Sequence, residues 1–292
     1  MNLEIFLIYL SSEKRFSKHT ILSYSTDLKQ FLNYISDNFS IDNDPSKINF
    51  NCIRSFVSHL LEEGLSPRSV NRKISSLKSY FKFLVREELI SESPILKIIS
   101  PKVEKRLPVF IDENKILYLL NDVQFEDGWI GERNKMIIEM FYLTGMRLSE
   151  LVNLKKSDID TYNSSVKVLG KRNKERIIPL PNYFVNKVIK FLRNKKNSHL
   201  IFTDLKGGGL YHKLVYRLVK KYIGQVCSIN KKSPHILRHT FATHMLNNGA
   251  DINAIKELLG HANLSATQVY THNSIKKLKS VYNQAHPRAK EI

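Results

Sequence analysis

One stretch constrains this chain more than any other: Ser233 to His272, SPHILRHTFATHMLNNGADINAIKELLGHANLSATQVYTH. It has to break into short helices. Ser233 reads as an N-cap and Pro234 as the first helical residue, where a missing N–H leaves no bond unmade. Ile236, Leu237, Phe241, Met245 and Leu246 form the apolar face, and Asn248-Gly249 stops the helix. His235 and Arg238, three residues apart, then share one face. A second helix is predicted from about Asp251 to Leu259, ending at Gly260 with His261 next. A third begins near Ser265 and carries Tyr270. Two histidines, an arginine and a tyrosine thus follow one another on short elements, with no carboxylate placed beside them to hold a metal.

Helical signals also fill the first hundred residues. Asn2 to about Ser11 is short and apolar. Ser17 caps a second helix with Ile21, Leu28, Phe31, Leu32 and Ile35 at helical spacing. A third runs from Asn51 to Glu63 and stops at Gly64. Ser66-Pro67 opens the fourth, whose core stripe is Val70, Ile74, Leu77, Phe81 and Leu84. Its other face shows Arg68, Arg72, Ser75, Ser79, Lys82 and Arg86, a row suited to a phosphate backbone. Prolines 94, 101 and 108 and the charges between them mark an exposed linker. The boundaries expected are residues 1–97 for an N-terminal domain, 98–110 for the linker and 111–292 for the second domain. In that domain, helices are predicted near Asp112–Asn121, Gly131–Leu143, Pro181–Lys195 and Leu210–Val226. Ser165–Leu169 and Arg176–Leu180 alternate as strands around a hairpin loop. Gly207 to Gly209 reads as a turn, because no Gly-Lys-Ser/Thr follows to make a phosphate loop.

Charge narrows the partner. Residues 1–100 hold 13 basic and 11 acidic residues, whereas residues 101–292 hold 33 and 16. The second part carries nearly all of the net charge of +19, so a polyanion is expected there, and nucleic acid first among polyanions. Two cysteines, Cys52 and Cys227, make neither a disulfide framework nor a zinc cage and fit a reducing cytoplasm. No apolar run approaches a membrane span and no signal peptide opens the chain, so no membrane partner is expected.

The pattern H-x-x-R at 235–238, L-G-H at 259–261 and Tyr270 nine residues on resembles the C-terminal signature of the tyrosine recombinase (phage-integrase) family, close to its Xer subgroup. Two further boxes match in order: Thr144-Gly145-Met146-Arg147-Leu148-Ser149-Glu150-Leu151, and the hairpin Gly170-Lys171-Arg172-Asn173-Lys174-Glu175-Arg176. The resemblance implies a mainly α fold. It has an N-terminal four-helix SAM-like core-binding domain and a mainly α catalytic domain with a small antiparallel β-sheet or hairpin. The activity implied is site-specific DNA recombination through a 3′-phosphotyrosine and a Holliday junction, in the resolution of chromosome dimers at a dif-like site. An integrase of a mobile element is the alternative. Neither metal nor cofactor is expected. The partners implied are double-stranded DNA with two half-sites, a homo-tetramer or hetero-tetramer with a paralogous recombinase, and an FtsK-type DNA translocase as a candidate activator. The setting implied is the nucleoid of a bacterial or archaeal cytosol.

The implied roles make chemical sense. Tyr270, whose unperturbed pKa is about 10, would attack phosphorus and lose its proton. Arg147 and Arg238 would grip the two non-bridging oxygens, since guanidinium forks match phosphate bidentately. His235 sits one turn before Arg238 and can accept the Tyr270 proton or bond the phosphate; His261 is expected to donate to a phosphate oxygen. Lys171 would protonate the departing 5′ oxygen, with Lys174 its rival. Arg172 stands where the family usually has a second glycine, so the hairpin tip is less permissive. Arg68, Arg72, Lys82, Arg172 and Lys174 are the DNA contacts expected. Glu150 is expected to support the arginine box, and His239 and His244 to be structural. Two rival readings are a zinc site on His235 and His239, four apart, and a non-catalytic DNA-binding module. In the tail, Ile275, Leu278, Tyr282 and Ala285 form one stripe. It can pack on its own domain or on a neighbouring protomer; the resemblance favours the neighbour.

Overall fold

A computed structural model of the protein describes residues 2–289 except 43, 105–108, 171–173, 194–197, 230–231 and 261–271, and the side chains of 272–275 are also left aside. Lys171, Arg172, His261, Tyr270 and Ile275 therefore lie outside what is described. The fold is mainly α, in two compact units, residues 1–106 and 107–292. None of the described helices is long and apolar enough to cross a membrane.

The first unit is built from α1 (Leu3–Ser12), α2 (Lys18–Phe39), α3 (Phe50–Glu62) and α4 (Pro67–Arg86). Capping sets their starts: the Ser17 hydroxyl accepts from the Thr20 N–H, Asn49 from Asn51 and Cys52, and Ser66 from Ser69. The stripe expected on α4 is buried throughout, packed with Phe6, Phe31 and Phe56 into one aromatic-rich core. The core also holds an ionic cluster that the apolar spacing does not announce. Asp27, 1% exposed, accepts from Arg72, from Lys73 Nζ at 3.0 Å and from Ser76 Oγ at 2.9 Å. Burying a carboxylate is tolerable only when it is paired in this way.

Part of the segment expected as linker, from Ile98, packs on the first unit. Ile95 and Ile98 are buried in the first unit's core, and the Pro101 carbonyl accepts from Asn71 Nδ2 at 2.8 Å. Three-residue spacing puts both isoleucines on the inner side of a turn, while Leu96 and Ile99 face out. At the other end, the Ile111 N–H already bonds Thr240 Oγ1 at 3.0 Å in the second unit.

The second unit comprises α5 (Glu113–Asn121), α6 (Gly128–Thr144), α7 (Leu148–Val152), strands β1 (Ile159–Asp160), β2 (Ser165–Leu169) and β3 (Glu175–Pro179), then α8 (Asn182–Arg193), α9 (His212–Val226), α10 (Pro234–Asn247), α11 (Ile252–Leu259) and α12 (His272–Ala285). The strands form an antiparallel sheet in the order β1-β2-β3, with Val166 opposite Ile178 and Val168 opposite Arg176. β1 is only two residues long, too short to show a period. Gly207 to Gly209 do form a turn, drawn in by Asp204, whose carboxylate accepts from the Lys206 and Gly208 N–H groups. Leu246 is a correction: it is 49% exposed, because Met245 next to it takes the inward place on α10.

The tail is a second correction. Leu278, Tyr282 and Ala285 lie in the core of their own unit, not on an open stripe awaiting a neighbour. The Tyr282 hydroxyl donates to the Leu143 carbonyl at 3.0 Å. His286 stacks on Tyr282 with ring centroids 4.9 Å apart, and burial pushes its pKa down to about 3. Arg288 bonds Tyr183 Oη at 2.9 Å and lies 3.6 Å from Glu139. An apolar stripe shows that a groove is needed, not whose groove it is. Tyr282→Ala is therefore expected to destabilise the isolated chain by about 3–5 kcal/mol, the usual cost of removing a fully buried ring. Chemical denaturation measures this; a loss under about 1 kcal/mol would show the stripe is not needed for the fold of its own unit.

Candidate active site

α6 ends in the left-handed Gly145 (φ 58°). A Cβ there would stand 2.6 Å from the Phe241 ring and 2.8 Å from Leu259, so only glycine admits the close approach of α10 and α11. The turn places Arg147 as the N-cap of α7. Its backbone N–H donates to Glu150 Oε2 at 2.6 Å, its Nη1 to Glu150 Oε1 at 2.8 Å, and its Nη2 to the Gly260 carbonyl at 3.3 Å.

From α10, Arg238 points into the same place. It is 9% exposed, with Nη1 donating to the Gly145 carbonyl at 2.6 Å and Nη2 to the Leu259 carbonyl at 2.7 Å. Arg176 arrives from β3. Its Nη1 and Nη2 meet the two oxygens of Glu150 at 2.9 and 2.8 Å, and its Nε donates to the Leu258 carbonyl at 2.7 Å. Three arginines thus bond the consecutive carbonyls of Leu258, Leu259 and Gly260 at the C-terminal end of α11, where the helix dipole is negative. Gly260 itself is left-handed (φ 67°), and the chain passes from it directly to His261.

The electrostatics are lopsided. Burial would push the Glu150 carboxyl up, but the bonds and charge of Arg176, then the bonds from Arg147, outweigh it and hold the pKa down at about 2. One carboxylate therefore stands, ionised, among three guanidiniums. Burial, then repulsion from Arg147 and Arg176, lowers Arg238 to about 10 despite the pull of Glu150, still charged at neutral pH. The surplus of positive charge in a largely dry place suits a phosphodiester.

Not every residue singled out in the sequence joins this cluster. His235 is exposed in the first turn of α10, one turn ahead of Arg238. His244 is buried against the Tyr142 hydroxyl at 3.1 Å, and burial lowers its pKa. Lys174 is exposed at the hairpin, where its carbonyl accepts from Gly170 N–H at 2.8 Å. In the first unit, Arg68 and Lys82 are exposed. Arg72 shows half of its side chain while its guanidinium is held by Asp27 and Ser23, and Arg86 is tied to Glu13 and Glu87. Among the described residues no group of three His, Cys, Asp or Glu stands together as a metal site. Sequence reasoning missed Arg176. The signal was present: alternation that turns Ile178 inward turns Arg176 inward too, and a buried cation implies a carboxylate.

Comparison with known proteins agrees with the boxes. The profile described as "Phage integrase family" matches residues 110–277, and "Phage integrase, N-terminal SAM-like domain" matches residues 3–88. The chain is 35% identical to Tyrosine recombinase XerC of Chlorobaculum parvum, over 98% of this chain and 94% of that one. It is 39% identical to Tyrosine recombinase XerC of Staphylococcus carnosus, over 99% and 98%. The solved structure of XerH site-specific recombinase bound to difH substrate shares the fold, with a TM-score of 0.68 and 24% identity over 89% of this chain and 78% of that one. The chain belongs to the phage integrase family of tyrosine recombinases, enzymes that cleave and rejoin DNA strands.

Proposed function

We propose that this protein is a Xer-type recombinase that resolves chromosome dimers at a dif-like site with two half-sites. Four protomers would act on two duplexes, as one kind of chain or with a paralogue. The observation that supports the chemistry is the arginine cluster: two guanidiniums from separate boxes converge on one spot, beside the helix end that leads to His261 and Tyr270. Similarity to XerC relatives over nearly the full length of both chains supports the Xer role over that of a mobile-element integrase. In this reading residues 1–106 hold the duplex, with Arg68, Arg72 and Lys82 near the backbone, and residues 107–292 cut it. Arg172 and Lys174 would hold the DNA beside the hairpin.

Tyr270 attacks phosphorus as His235 accepts its proton. Arg147 and Arg238 neutralise the charge gathering on the non-bridging oxygens, and His261 donates to one of them. Lys171 protonates the departing 5′ oxygen. The phosphotyrosine conserves the bond energy, so a 5′-hydroxyl of the partner duplex reseals the strand without ATP. A plasmid with two directly repeated dif-like sites from the host chromosome tests the role. Purified protein, alone or with its paralogue, is expected to resolve it into two circles. Failure there, with recombination of mobile-element ends instead, would overturn the Xer assignment. A second test concerns the acid: sulfur in place of the bridging 5′ oxygen leaves without a proton. That substrate is expected to rescue Lys171→Ala and not Arg238→Ala; rescue of Lys174→Ala instead would move the role to Lys174.

A further inference from the structure

We infer that Arg176 is a positioning residue for strand cleavage, holding Arg147 free to act on the phosphate and fixing the helix end from which the nucleophile segment departs. The inference rests on the phosphate-gripping role proposed for Arg147. Arg176 is 3% exposed and is not placed to meet the phosphate itself. Its reach is through others. The guanidinium fork takes both oxygens of Glu150, and the same two oxygens receive the Arg147 Nη1 and backbone N–H. Glu150 Oε1 is thus shared by two arginines. With Arg176 present, the buried carboxylate has a full counter-charge of its own, and the charge of Arg147 remains available for substrate. Without Arg176, Arg147 would be the only hydrogen-bonding cation on Glu150, and its charge would be spent there.

Arg176 also sets geometry. Its Nε holds the Leu258 carbonyl, and its stem lies so close under Gly260 that a Cβ there would stand 3.1 Å from Arg176 Cδ. On the other side, a Cβ at Gly170 would come within 3.5 Å of Arg176 Nη1, so the same side chain lies under the base of the hairpin that carries Lys171. One residue therefore ties together the arginine box, the hairpin and the end of α11. Lysine cannot replace it: a single ammonium reaches one Glu150 oxygen but not both together with the Leu258 carbonyl.

Single-turnover cleavage by the full chain, on a normal diester and on a methylphosphonate at the scissile position, tests this. The methylphosphonate lacks the negative charge that Arg147 neutralises. Arg176→Lys is expected to fold, to bind DNA within about threefold of wild type, and to cleave the diester about 10–100-fold more slowly, the usual effect of losing an outer orienting partner. On the methylphosphonate its deficit is expected to shrink to within about threefold, as that of Arg147→Ala shrinks. Diester cleavage within threefold of wild type would overturn the inference. So would an equal deficit on both substrates while that of Arg147→Ala shrinks, which is the mark of a purely structural role. If the deficit of Arg147→Ala does not shrink, the role of Arg147 fails first, and the inference with it. Should Arg176→Lys not fold, Arg176→Gln, which takes the counter-charge from Glu150 and leaves Arg147 as its only hydrogen-bonding cation, carries the same comparison.

Discussion

Tyr270→Phe is expected to bind DNA as wild type does and to form no covalent complex at all. The phenol oxygen is the group that bonds phosphorus, and phenylalanine keeps the ring while removing only that atom. Binding is held by the many cations of residues 101–292, none of which changes. The check is a nicked substrate whose freed end diffuses away, so that cleaved complexes accumulate: wild type should show a band that survives detergent, and the variant should not. A detergent-stable band from Tyr270→Phe would remove Tyr270 from its role.

Arg238→Ala is expected to lower the cleavage step by about 10²–10³-fold, or about 3–4 kcal/mol of transition-state stabilisation. Arg238 offers its charge from a largely buried position where little water screens it, and its two anchoring carbonyls, Gly145 and Leu259, fix its direction before substrate arrives. Binding should fall little, because most phosphate contacts lie elsewhere. The loss of two buried hydrogen bonds also lowers stability, so rates should be compared below the variant's own unfolding temperature. Near-normal single-turnover cleavage would show that the arginine cluster holds the fold and not the phosphate.

Much of the fold was legible because its signals are local. Ser17 and Ser66 start helices by bonding their own backbone, and the stripe on α4 needs only helical spacing. Arg147, Glu150 and Arg238 were legible for another reason: they sit in boxes whose residue types repeat. What was not legible depends on which surfaces meet. The spacing of Leu278, Tyr282 and Ala285 shows a buried face, and the surface that receives it, formed by β3, α10 and the C-terminal end of α6, is made by distant sequence. Ile98 looks like a linker residue among prolines, yet a turn folds it back with Ile95 onto the first core. Asp27 and Arg176 are charged residues at inward positions. Each was readable only by asking what a core position does with a charge, and each is answered by a partner 45 or 26 residues away.

The most direct test of the proposed chemistry is the identity of the covalent link. Wild-type protein trapped on the nicked substrate is digested, and the peptide carrying the nucleotide is identified by mass spectrometry. The expected result is a 3′-phosphoryl group on the peptide that contains Tyr270, with a free 5′-hydroxyl on the released strand. A link at any other residue, or a 5′-phosphoryl link, would contradict it.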